Sequence, residues 1–347
     1  MTESGNSPKK ERSLFVQMLP GIFVSLLTVV ILVSQIDLTE TAAALKNIRA
    51  SRLLLAAFFL VLAFSARGLA WRTLLREQAG YPVVISSEVI GYFLNTVLPF
   101  RLGEVGRALA LGMRSSLTFW EIFPTLVVER IFDLAILAGL LLTTLPFVVG
   151  AQWATTAALV AVGLVVVGFA VLYTVVLKPE WAHTLFQKLT RPWPKLQTFG
   201  EEKLDLILRG LAPLRNPGRF LLVLFWMLVT WGLSILWNYM LLEPFYPDAS
   251  LLVVAVIVGF ASLGVAAPST QGNLGVYEAA VVSAFLALNA NTANGLAYAL
   301  ATHALYLLLI ILMGVVALSV QRISLKEISA MARSRRLDEE SSDQGEH

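Results

Sequence analysis

The sequence predicts an all-α, polytopic integral membrane protein with about six full spans and a pair of broken, re-entrant helical hairpins. Composition is the first reason. Hydrophobic residues make up 57% of the 347 and charged residues only 14%, with a mean hydropathy of +0.75. A soluble globular chain carries roughly 25% charged residues, so this one could not cover its surface in water. Length is the second reason: several apolar runs reach the about 20 residues that a helix needs to cross hydrocarbon. The third is that two further apolar regions carry polar, glycine-rich breaks. Such breaks are tolerated in a bilayer only where they are buried in protein or line a wet cavity.

In chain order, residues 1–13 form a tail holding Lys9, Lys10 and Arg12, followed by an apolar run over 14–34. That run exceeds the about 7–15 residues of a cleaved signal peptide's apolar region and reads as a retained signal anchor. In 38–52, Leu38, Leu45 and Ile48, with Leu53 just beyond, recur near helical spacing. Two readings are open there: an interfacial amphipathic helix, or a loop with some charges. Further spans are expected over 53–75, 122–149, 153–177, 220–242 and 296–320. The region 83–112 is broken by Asn95, Pro99, Arg101, Gly103, Glu104 and Gly106, and 250–289 by the run from Pro268 to Gly275. Residues 178–219 read as a basic linker and 321–347 as a disordered tail, leaving 14–320 as one membrane domain.

Lys and Arg set the orientation. Three lie in 1–13, seven in 67–130, eight in 178–219 and five after 320, which is 23 of 26. The other three, Lys46, Arg49 and Arg52, fall in the first opposite-side loop, and the later loops on that side hold none. Both termini and 178–219 are therefore expected in the cytoplasm of a plasma-membrane protein. Six spans close this topology only if each broken region enters and leaves on one face. Full crossings by those regions keep the same parity and raise the count to about eight to ten.

The breaks share a pattern. Pro99 and Gly103 are followed by Glu104, and Pro268 and Gly272 by Glu278. Gly/Pro-interrupted segments at corresponding points of two halves point to a transporter site on inverted repeats. Charges here are site candidates, because one at the bilayer centre costs about 2.5–3.5 kcal/mol on insertion scales. They are Arg101, Glu104 and Arg107, then Glu129, Arg130 and Asp133, and finally Glu278. A helix starting near Gly103 would aim N–H groups at an anion between Arg101 and Arg107. Guanidinium pairs suit phosphate; helix-locking ion pairs are the plainer alternative. Arg130 reaching Glu104 is an attractive pairing. For Glu278 the partners are Asn273, a helix N-terminus near Gly275, or an arginine of the other hairpin. Arg67 and Arg72 are expected to snorkel to the surface, with Trp71 placed to stack on Arg67. Trp226, Trp231 and Trp237 read as belt or packing residues, and His303 as a packed hydrogen-bonding residue or a switch.

Some classes fall away. There is no cysteine, and His183, His303 and His347 are scattered, so no metal or cofactor is expected. No hydrolase, nucleotide-binding or nucleic-acid motif is present.

The runs GYFLNTVLPFRLGEVGRALALG, VVERIFDLAIL and APSTQGNLGVYEAAVVSAFLALN, with ARGLAWRTLL, resemble the flippase-like family of lysylphosphatidylglycerol-synthase transmembrane regions. The resemblance spans roughly 14–320. By motif it implies site roles for Asn95, Pro99, Arg101, Gly103, Glu104 and Arg107, for Glu129, Arg130 and Asp133, and for Pro268, Gly272, Gly275 and Glu278. Thr302-His303 stands where the family often has an arginine. No aminoacyltransferase segment follows within this chain, so lysyl transfer is not expected. The resemblance implies a lipid translocase, not an enzyme, for an anionic phosphate-bearing lipid such as a phospholipid or a polyprenyl-phosphate-linked one. The alternatives are a membrane-embedded enzyme, with Glu104, Glu129 and Glu278 as acid and base, or an accessory of a glycosyltransferase partner docking on 178–219.

Overall fold

The structure is a computed structural model. It describes residues 36–98, 103–148, 154–192, 211–266 and 271–323, and singly 30, 32, 34, 197, 200, 201, 204, 205, 208, 210 and 327. Most of the 14–34 run, Pro99, Arg101, Pro268 and most of the C-terminal tail lie outside the described residues. Every regular element among the described residues is helical.

The first helix, α1 (Leu38–Leu45), makes the start of the 38–52 stretch helical. Asp37 caps it, its carboxylate accepting from the N–H groups of Thr39 at 2.8 Å and Glu40 at 3.1 Å. It docks on the last helix, where the Thr41 hydroxyl donates to the Ala293 carbonyl. Next comes α2 (Ala50–Leu74), whose 25 residues reach about 37 Å. Its outward residues Leu54, Leu55 and Phe58 are exposed, as lipid-facing side chains would be.

The first broken region is a pair of short helices, α3 (Tyr81–Val97) and α4 (Gly103–Gly112). α3 begins with Pro in its first turn and ends at Leu98, which is extended at φ −95° and ψ 148°. A following proline disfavours helical backbone at that position, and Pro99 is next. At 17 and 10 residues, both helices are shorter than the about 20 residues that a spanning helix typically has.

Two long helices follow, α5 (Phe119–Val148) and α6 (Ala154–Leu177), packed on each other. The basic linker is not featureless: it holds α7 (Pro179–Thr190) and a 3-10 turn over Ala212–Arg215. Then α8 (Pro217–Leu242) runs along α2.

The second broken region repeats the first arrangement. α9 (Leu251–Ala266) and α10 (Val276–Ala287) have 16 and 12 residues, with a 3-10 turn at Gln271–Asn273 between them. Gly272 and Gly275 have φ of 69° and 82°, backbone that L side chains rarely adopt. The last helix is α11 (Thr292–Gln321), capped by Asn291. By length and composition α2, α8 and α11 are each able to cross a membrane alone.

Two apolar cores hold the bundle. One gathers Phe64, Ile90, Leu94, Leu241, Val281, Phe285 and Tyr298. The other gathers Trp71, Leu74, Val84, Leu111, Ile122, Phe132 and Met227. Along α2 the first core ends at Phe64 and the second begins at Ala70; along α3 the second ends at Val84 and the first resumes at Val89. The intervening positions include Arg67 and Glu88, so the seam between the cores is charged. Packing also brings the breaks together: a Cβ built on Gly272 would lie 3.9 Å from Thr96 at the end of α3.

Candidate functional site

The charged seam is built from four helices. α2 supplies Arg67, α3 Glu88, α4 Arg107 and Glu104, and α5 Glu129, Arg130 and Asp133. On α5, three- and four-residue spacings put Asp133 on a shared face with Arg130 and with Glu129. Glu129 accepts from Arg67 Nε at 2.8 Å and from both terminal nitrogens of Arg107, at 3.2 and 2.8 Å. Arg67 also grips Asp133 through both its terminal nitrogens. The indole N–H of Trp231 on α8 donates to Asp133 at 3.2 Å. The Arg107 guanidinium lies 3.7 Å from the centre of the Trp71 ring, whose N–H donates to Thr125. Such forked pairs are the strong form of a charge-assisted hydrogen bond, and here they are nearly dry.

Close approach of α3 and α4 makes this geometry reachable. A Cβ on Gly91 would lie 2.8 Å from Arg107 Cβ and 2.9 Å from the Gly103 carbonyl, while one on Gly103 would collide with the Gly91 carbonyl and Asn95. The Gly103 N–H donates to Asn95 Oδ1 at 2.7 Å, and Asn95 Nδ2 donates to Glu104 at 3.5 Å. Asn95 thereby caps the helix that carries Arg107.

One edge of the seam is open. Arg130 donates to Glu104 at 2.6 Å, with side chains 47% and 30% exposed. Arg67, Arg107 and Glu129 are buried. The second break forms a separate polar centre. Glu278 accepts from the Gly275 N–H at 2.7 Å and lies 2.5 Å from His303 Nδ1. His303 Nε2 is 2.7 Å from the Gly272 carbonyl. A carbonyl only accepts, so Nε2 carries a hydrogen, and one proton lies between Nδ1 and Glu278. The Tyr277 hydroxyl bonds Thr302 at 2.9 Å beside the imidazole.

Several expectations are corrected here. Arg67 does not snorkel; it is 8% exposed at the centre of the seam, because three carboxylates face it there. Trp71 stacks, but on Arg107. Arg107 does not present a free guanidinium, since Glu129 and Trp71 already hold it. The first N–H of α4 is not free for an anion, because Asn95 takes it. Of the partners expected for Glu278, the helix N-terminus near Gly275 is taken; His303 joins it, and no arginine reaches it among the described residues. Trp231 is a hydrogen-bond donor as well as a packing residue. The Arg130–Glu104 pair forms as expected. Pro99, Arg101 and Pro268 lie outside the described residues, so the structure does not place them. Two members of the seam, Glu88 and Arg67, were missed as site residues. The signal was present: both are charges within apolar runs, the criterion that selected Glu104.

The chain matches the lysylphosphatidylglycerol synthase TM region over residues 18–314, which includes the seam and both breaks. It belongs to that family. A curated relative is the glycosyltransferase AglD of Haloferax volcanii, 29% identical over 130 residues. The match covers 36% of this chain and 20% of that protein. No solved structure matches. Family membership and the apolar helices make this a membrane protein, of a family tied by its name to lipid synthesis.

Proposed function

We propose that this protein is a lipid translocase, without catalytic chemistry of its own, for an anionic phosphate-bearing lipid of the plasma membrane. The lipid is a phospholipid or a polyprenyl-phosphate-linked one, and both termini lie in the cytoplasm. The carrying observation is the open edge of the seam, where Arg130 and Glu104 pair while the arginines behind them are dry. A phosphate offers a guanidinium the same forked geometry that a carboxylate does. A head group can therefore exchange with Glu104 at Arg130 while its tails stay in hydrocarbon. Arg67 and Arg107 act as the frame that fixes α5, and Arg101, next to the break, is a second candidate contact.

The test is reconstitution in liposomes with labelled phosphatidylglycerol followed between leaflets. Arg130→Ala is expected to slow translocation by about tenfold or more, since a hydrogen bond to a charged group contributes roughly 1.5–3 kcal/mol. Unchanged rates in the double variant Arg130→Ala, Arg101→Ala would remove the site assignment. Likeness to a protein named a glycosyltransferase favours a second reading, an accessory that docks such an enzyme on 178–219. Loss of co-purification on deleting α7, with translocation absent throughout, would favour that reading.

A further inference from the structure

Glu88 accepts no hydrogen bond in the seam just described. It is fully buried at 0% exposure, and neither carboxyl oxygen has a hydrogen-bond partner among the described residues. Its nearest cations are Arg67 Nε at 3.7 Å and Arg107 Nη2 at 3.8 Å, and both guanidiniums already serve Glu129 or Asp133. The charge count gives the reason. Among the described residues the seam sets Arg67, Arg107 and Arg130 against Glu88, Glu104, Glu129 and Asp133, three cations against four carboxylates. Glu129 and Asp133 hold forked or short contacts, and Glu104 reaches the partly exposed edge. Among the described residues Glu88 is the carboxylate in excess, and a charged carboxylate without hydrogen bonds is the costliest group to bury.

From this we infer that Glu88 is a proton-binding site whose occupancy is linked to binding of the anionic head group. The inference deepens the translocase reading and rests on it. With a proton on Glu88, the described seam is neutral. A phosphate arriving at Arg130 then adds one negative charge where Glu104 is released towards the open edge. With Glu88 ionised, the same arrival would bring a second uncompensated negative charge into a dry site, and like charges there oppose each other. Anion and proton therefore enter together. The proton comes from water and goes to a Glu88 carboxyl oxygen, with no other bond made or broken. The charged and titratable groups around Glu88 are Arg67 on α2, Arg107 on α4, Glu129 and Asp133 on α5, and Tyr81 and Tyr92 on its own helix. Gly68 on α2 makes room for it: a Cβ there would lie 3.3 Å from Glu88 Oε2.

The experiment uses the full chain in phosphatidylcholine vesicles, with short-chain phosphatidylglycerol as the probe. Infrared difference spectra across pH are expected to show the carbonyl stretch of a protonated carboxyl group that is lost in Glu88→Gln. Gly68→Ala should shift that band, which keeps the assignment testable if Glu88→Gln does not fold. Probe affinity in the wild type is expected to fall by about tenfold for each pH unit above the band's midpoint, as one proton per anion requires, and to lose this dependence in Glu88→Gln. A band indifferent to both substitutions, or the same pH slope in Glu88→Gln, overturns the inference. If the band behaves as expected but the probe does not bind at any pH, the proton site stands and the lipid reading fails.

Discussion

At the scale of single residues, the arginines of the seam divide by how dry they are. Arg107 makes two hydrogen bonds to Glu129 and lies on Trp71 while almost fully buried. Removing it leaves Glu129 buried with one cation fewer. Arg107→Ala is expected to cost about 3–5 kcal/mol, the range for breaking a buried pair, read as a large drop in Tm in detergent. Arg107→Lys restores charge but neither the fork nor the stack, so its Tm should fall between the two. Arg130 is the opposite case. Its pair with Glu104 is partly exposed, a setting worth about 0–1 kcal/mol, so Arg130→Ala should barely move Tm while slowing translocation. Equal losses of Tm in the two alanine variants would contradict this division of frame and contact.

At the scale of elements, the seam depends on how closely α3 and α4 approach. Gly91→Ala would press a methyl group on Arg107 Cβ and the Gly103 carbonyl, each under 3 Å away. Overpacking of this kind costs about 1–3 kcal/mol. Parting the helices also displaces Arg107, so Gly91→Ala should lower both Tm and translocation, although glycine carries no chemistry itself. Wild-type values for both would show that the close contact is not needed. The hairpins were legible because their breaks are written in Pro, Gly and polar residues. Leu98 leaves the helix where Pro99 demands it, and α10 starts where Gly275 permits positive φ. Pairing across helices was not legible. Arg67 reads as a residue near a span's end until α5 is packed beside it, and only then do three carboxylates surround it.

At the scale of the whole molecule, orientation is the property to measure. The chain has no cysteine, so single cysteines report cleanly. Lys188→Cys on α7 should react with an impermeant maleimide only after cells are opened, and Asp248→Cys, between α8 and α9, in intact cells. The reverse pattern would invert the topology and with it the side from which the open edge of the seam is loaded.

The sequence by itself determined the membrane environment, the helical class, the long helices among the described residues, the positions of both breaks and the family, because each follows from local composition, periodicity or contiguous motif. It also exposed the Arg130–Glu104 pair as a candidate, since both are charges within apolar segments beside the first break. Only the tertiary structure decided which charges are frame and which are contact. That division depends on burial and on donors brought from four separate helices, and no spacing along the chain encodes it. Glu88 shows the difference most plainly: along α3 it is one acid in an apolar run, and within the bundle it is the one described carboxylate of the seam that accepts no hydrogen bond.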